Sequence, residues 1–223
     1  KKSYEENQSS CHLNFLIVIY SMQKPERTIN KEIYKFNILE AGSIRPKGWI
    51  KEQLSRDLKK GYIGVYDVVH PTVTHNVFIN QNRKSKRRIG LRKEWWSGEH
   101  EGYWKDAVVR MAFLTRNKEY ITKSENWMND LKKVTQNADY IGIYDNCEDS
   151  GCRFNHTKGN GELWVTSRIL MAMLAYYEFT GNKDVLKAIE RTVHKTIDHY
   201  KQSTYFGRPN PDGGVRHAIG YMD

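Results

Sequence analysis

The chain has 223 residues, a 12% aromatic share that includes six Trp and fourteen Tyr, and a formal net charge of +10. That length suffices to bury a sizeable core, and the composition is that of a soluble globular protein rather than a disordered or fibrous one. A pI near 9.4 permits contact with nucleic acid, anionic polymers or membrane surfaces, without requiring it.

Residues 1–42 read as a lead-in, irregular or partly extended. Its one apolar run, Phe15 to Tyr20, is too short to span a bilayer. Glu5, Glu6 and the lack of a small-residue cleavage site argue against a signal peptide, although the sequence starts at Lys1 rather than Met. A helix is expected from about Lys47 to Lys60. After it, Tyr62-Ile63-Gly64-Val65-Tyr66-Asp67 is nearly the same string as Tyr140-Ile141-Gly142-Ile143-Tyr144-Asp145. Both strings are expected in turns, where glycine supplies a permissive backbone and the aromatic rings pack under neighbouring helices. The basic excess gathers at Arg83, Lys84, Lys86, Arg87 and Arg88. No nucleic-acid recognition motif accompanies it, so a solvated loop is the preferred reading.

Beyond that loop, one unit occurs twice. Thr115, Asn117 and Lys118 recur 65 residues later as Thr180, Asn182 and Lys183, and Tyr140 and Gly142 recur as Tyr205 and Gly207. A fixed period of this size marks repeated supersecondary units. In the first copy Trp104, Ala107, Val108, Met111 and Ala112 fall at helical intervals, followed by a second stripe at Ile121, Ser124, Met128 and Leu131. The second copy repeats this plan: Ile169 to Tyr177 is apolar on every side, whereas Leu186, Ile189, Val193, Ile197 and Tyr200 form a single stripe. A helix apolar all round must be covered on more than one face. The leading helix of each hairpin is therefore expected inside and the trailing one over it. Such hairpins build toroids or open solenoids. A ring of six would need about 390 residues at this period, so the chain is expected to be the N-terminal portion of a larger domain.

Chemistry is expected where the inner helices begin. Trp95 to Trp104 precedes the first, Asn155 to Trp164 the second, and Asn210 to His217 a third. If the inner helices run parallel, these segments meet at one end. There, indoles suit the C–H face of a sugar ring, and carboxylates and imidazole suit its hydroxyls. The candidate substrate-binding residues are Trp96, Glu99, Glu101, Trp104, Glu162, Trp164 and His217. Trp104 and Trp164 serve equally well as core anchors. A helix N-terminus favours the anionic form of Glu99, Glu101 and Glu162, which suits them to accepting hydroxyl hydrogen bonds rather than to acting as general acids. No pair of carboxyl groups stands out as acid and nucleophile, and no catalytic residue is assigned.

Cys147 and Cys152, with His156 nearby, superficially suggest a metal. A structural zinc usually takes two ligand pairs and only one is present, so a local disulfide or free thiols are the preferred reading and no metal ligand is assigned.

Taken in order, several motifs resemble the glycoside hydrolase family 127, or beta-L-arabinofuranosidase-like, proteins. They are Ser43-Ile44-Arg45-Pro46 with Gly48-Trp49 and Gln53-Leu54; Gly98-Glu99 with Glu101-Gly102-Tyr103-Trp104; Glu162-Leu163-Trp164; Tyr177-Glu178 with Thr180-Gly181-Asn182; and Gly213-Gly214-Val215 with His217. The resemblance covers residues 43–223. It implies an all-α fold, helical hairpins of an (α/α)6 toroid, incomplete in this chain. It also implies retaining hydrolysis of arabinofuranosides through a zinc-bound cysteine thiolate and a glutamate acid/base. In the family those groups lie beyond the matched part, so none maps here and zinc is expected only in a longer protein. His217 resembles a sugar-contacting histidine, while a second one, expected beside Glu162, is replaced by Gly161.

The expected function is that of a glycosidase of this type, with this chain supplying part of the sugar pocket and inactive alone. The expected partner is an oligosaccharide or glycoside, not nucleic acid or membrane; oligomeric state stays open. So does the compartment, with a lean towards an extracytoplasmic one. Two other readings stay open: a noncatalytic carbohydrate-binding helical array, and a basic helical scaffold binding an anionic polymer through Arg83 to Arg88.

Overall fold

The computed structural model describes residues 39–70, 76–79, 96–144, 153–154 and 162–200. The chain divides into two units, Lys1–Leu39 and Glu40–Asp223, and every described helix belongs to the second. All regular structure among the described residues is α-helical: α1 Gly48–Lys59, α2 Tyr62–Val69, α3 Trp96–Thr115, α4 Lys118–Ala138, α5 Glu162–Thr180 and α6 Lys183–Tyr200.

Helix α1 starts two residues after Pro46, which disfavours helical backbone just before itself, and ends on Arg56 and Lys59, whose charges complement the carbonyl end of the helix. The chain then doubles back immediately. A Cβ at Gly61 would lie 2.6 Å from Asp57 Cα, and one at Gly64 would come closer still to the Leu58 carbonyl oxygen. Only glycine permits so close an approach. The string 62–67, expected as a turn, is therefore helical: the two glycines let α2 lie against the end of α1 and bring Tyr66 into one buried cluster with Leu58. Its near copy at 140–144 is non-helical, and Tyr140, Ile141, Ile143 and Tyr144 are all buried beneath the helices, as the turn reading required.

The two later hairpins turn in the same way. Residue 116 and its counterpart 65 positions on, Gly181, both take left-handed backbone, with φ of 56° at Arg116 and 67° at Gly181. The Asn117 N–H reaches back to the Ala112 carbonyl, and the Gly181 N–H to the Tyr177 carbonyl, satisfying the ends of α3 and α5. Asn117 and Asn182 then cap α4 and α6 by accepting backbone N–H groups from Tyr120, and from Asp184 and Val185, respectively.

The inner helices are α3 and α5. Helix α3 is buried on two sides: Trp104 and Val108 pack with Leu58, Tyr66 and Trp127, while Val109 joins the larger core with Met128, Leu131 and most of α5. Helix α5 buries Ile169, Leu170, Ala172, Met173, Ala175 and Tyr176, matching its all-round apolar sequence. The two run parallel. Gly98 faces Val165, Gly102 faces Arg168 and Ile169, and Phe113 meets Tyr176 and Phe179, so both chains advance in the same direction along the contact. On α6 the buried stripe is Val185, Ala188, Ile189, Thr192 and Thr196, and Ile197 is 49% exposed. The expected stripe through Leu186 and Ile197 is thus rotated by about one residue. The small Ala188 and the threonines, whose hydroxyls can bond back to the helix as Thr196 does to the Thr192 carbonyl, let that face lie closest to the core.

No described helix is long and apolar enough to cross a membrane.

Candidate functional site

Parallel packing places the first turns of α3 and α5 side by side. Helix α3 begins at Trp96, so Glu99 and Glu101 lie within it rather than ahead of it. A Cβ at Gly98 would stand 2.6 Å from Val165 Cγ1, which is how closely the two tips approach. Across that seam the Trp164 indole Nε1–H donates to Glu99 Oε1 at 2.7 Å. Both side chains are partly exposed. The second Glu99 oxygen takes no hydrogen bond among the described residues, leaving an acceptor at the tip. The Arg168 guanidinium lies over the Trp164 ring at 4.4 Å and over the Tyr103 ring, itself 44% exposed, at 5.6 Å. A guanidinium against an indole face is an attractive arrangement that also holds the ring in place.

Glu162, in the first turn of α5, is buried. Its Oε1 accepts the Tyr140 hydroxyl at 2.7 Å and its Oε2 accepts the Phe154 N–H at 3.0 Å. Phe154, in left-handed backbone with φ of 60°, stacks on His199 of α6, and the Arg153 guanidinium covers the Tyr140 ring at 3.9 Å. This carboxylate fastens residues 140 and 154 to the start of the inner helix.

Glu101 and Trp104 turn to the other side of α3. Glu101 is 0% exposed; its Oε1 pairs with Lys105 Nζ at 2.5 Å and its Oε2 accepts the Val77 N–H at 2.8 Å. Lys105 Nζ also donates to Asn76 Oδ1 and stands 4.9 Å from the centre of the Trp127 ring. Trp104 is 5% exposed, donates its Nε1–H to the Ile63 carbonyl at 2.9 Å, and packs against Trp127 with ring centres 5.1 Å apart. Nearby, Tyr66 OH lies 3.3 Å from His100 Nδ1, and burial, with Tyr62 adding to it, pushes the Tyr66 hydroxyl above its usual pKa.

Of the seven candidates, Glu99 and Trp164 are in direct contact, with Glu162 at the same end of α5. Trp96 opens α3, and its side chain lies outside the described residues, as do His217 and Gly161. Arg83 to Arg88, Cys147, Cys152 and His156 lie outside them too. Among the described residues no three His, Cys, Asp or Glu side chains gather as metal ligands. Arg168 was not singled out by the sequence, and Tyr103 entered only as part of the motif Glu101-Gly102-Tyr103-Trp104. The signal for Arg168 is its position four residues after Trp164, one helical turn along the same face.

No curated protein and no solved structure matches the chain. Residues 46–205, a span that contains all six described helices, match the beta-L-arabinofuranosidase, GH127 catalytic domain, and the chain belongs to that family.

Proposed function

We propose that this chain works in a glycoside hydrolase of the beta-L-arabinofuranosidase-like type, with the tips of α3 and α5 forming one wall of the sugar pocket. Family membership implies a carbohydrate substrate. The observation that carries the finer reading is the Glu99–Trp164 hydrogen bond, which joins an acceptor carboxylate and an indole at the partly exposed starts of two parallel inner helices. In this reading the second oxygen of Glu99 accepts a sugar hydroxyl while the Trp164 ring, backed by Arg168, packs on the C–H face of the same sugar. Trp96 and His217 are the further contacts proposed for this pocket. Glu101 and Glu162 support it from behind: their oxygens are occupied by Lys105 and Val77, and by Tyr140 and Phe154.

Retaining hydrolysis requires a nucleophile and an acid/base placed across the scissile bond. Among the described residues no three His, Cys, Asp or Glu side chains gather as metal ligands, and the role proposed for Glu99, Trp164 and Trp96 is to bind and orient the sugar. Titrating the chain with arabinofuranosyl oligosaccharides tests the reading. Trp96→Ala and Glu99→Ala are each expected to weaken binding by about tenfold or more, the worth of one charge-assisted hydrogen bond or one stacked ring. Unaltered affinity in both variants would refute it.

A further inference from the structure

The far end of the inner helices carries a concavity. A cavity of about 230 Å³ is lined by Phe113 and Leu114 at the end of α3, Arg116 in the turn, Ile121 on α4, Phe179 at the end of α5, and Ala41, Gly42, Ile44 and Arg45 ahead of α1. Phe113 lies fourteen residues along α3 from Glu99, about 20 Å at the helical rise. This cavity is therefore separate from the Glu99–Trp164 contact, and its chemistry is independent of the proposed sugar binding.

Three features give this cavity a chemistry. First, two of its lining residues, Arg45 and Arg116, are arginines, and no acidic residue lines it. Every other described arginine has a side-chain partner: Arg56 has Gln53, Arg110 has Asp106, Arg191 has Asp139, and Arg153 and Arg168 lie over aromatic rings. Arg45 and Arg116 have none among the described residues. Two like charges at one concavity, with no carboxylate to offset them, favour an anion, and a guanidinium binds a carboxylate through two parallel hydrogen bonds. Second, Phe113 and Phe179 stack nearly parallel, with ring centres 5.0 Å apart and planes at 5°, so each ring spends one face on the other and both give their remaining apolar surface to the cavity. Gly42, at φ of 82°, closes against Phe179, where even a Cβ would come within 3.3 Å of the ring. Third, Arg116 adopts left-handed backbone that the matching turn of the next hairpin assigns to Gly181. The first hairpin's turn therefore carries a guanidinium where the second carries no side chain.

We infer that this cavity binds a small planar carboxylate, its ring against Phe113 and Phe179 and its charge on Arg45 and Arg116. The volume lies below that of pockets for drug-sized ligands and suits roughly one six-membered ring with its carboxylate.

The probe is 4-fluorobenzoate, followed by fluorine NMR with the full chain. Arg116→Gly is the informative variant because it deletes the guanidinium while giving the turn the residue already used at 181, so the fold is retained. Binding at millimolar concentration or tighter is expected. It should weaken about tenfold or more in Arg116→Gly and in Arg45→Gln, while the melting temperature of Arg116→Gly stays level or rises. Benzamide, which keeps the ring without the charge, and cyclohexanecarboxylate, which keeps the charge without the flat ring, should each compete at least several-fold more weakly than benzoate. Absence of binding, equal affinity in both arginine variants, or equal competition by benzamide or by cyclohexanecarboxylate would overturn the inference.

Discussion

Glu99 and Glu101 stand two positions apart on α3 and serve different neighbours, because residues at that spacing are about 200° apart around a helix. Glu99 turns to α5 and meets Trp164; Glu101 turns away, into a fully buried pair with Lys105. Removing one member of a buried pair leaves an uncompensated charge, so Glu101→Ala should destabilise the chain by about 3 kcal/mol in chemical denaturation. Glu101→Leu combined with Lys105→Met should recover the part of that loss that comes from the stranded Lys105 charge, though not the part from the Val77 N–H, which loses Glu101 Oε2 in both variants. A double variant no more stable than Glu101→Ala would contradict the pairing. At this scale the sequence showed which residue types gather near the helix starts but not which way each one faces. Trp95 to Trp104 reads as a loop leading into a helix, whereas α3 already begins at Trp96, and that earlier start separates the two carboxylates. Trp104 is separated in the same way, its indole spent on the Ile63 carbonyl and Trp127.

Among the elements, the hairpins were legible because the 65-residue period repeats the turn residues themselves, and those residues act alike in both copies: threonine in the last turn, left-handed backbone next, asparagine as cap. Helix α2 was not legible. Its eight residues are too few to show helical periodicity, and its glycine suggested a turn although the glycine serves close packing on α1. The rotated stripe of α6 has a similar origin, since hydropathy ranks Ile197 above Thr196 while the closer approach favours the smaller residue. Close approach also governs the α3–α5 seam. A Cβ at Gly102 would lie 2.7 Å from Arg168 Cβ and 2.9 Å from the Arg168 carbonyl carbon, so the obstruction is partly backbone. Gly102→Ala should therefore force the inner helices apart and cost about 1–3 kcal/mol, despite alanine's better helix propensity. A variant as stable as the wild type in urea denaturation would mean that the helices are not so tightly apposed.

For the molecule as a whole, the parallel run of α3 and α5 brings both helix starts to one end and both helix ends to the other. That is the all-α hairpin arrangement of the toroid type which the family motifs implied, and the family match spans its six described helices. The charge of +10 by itself favoured no partner over another. The Glu99–Trp164 contact lies at one end, and Arg45 and Arg116 line the cavity at the other. If sugar binds at the tips as proposed, the indole N–H of Trp164 reports on it most directly by nitrogen–proton NMR. On titration with a methyl arabinofuranoside, the Trp164 resonance should shift, while those of Trp104 and Trp127, buried between α2, α3 and α4, stay in place. A Trp164 resonance that does not move under saturating sugar, or shifts confined to Trp104 and Trp127, would contradict the account.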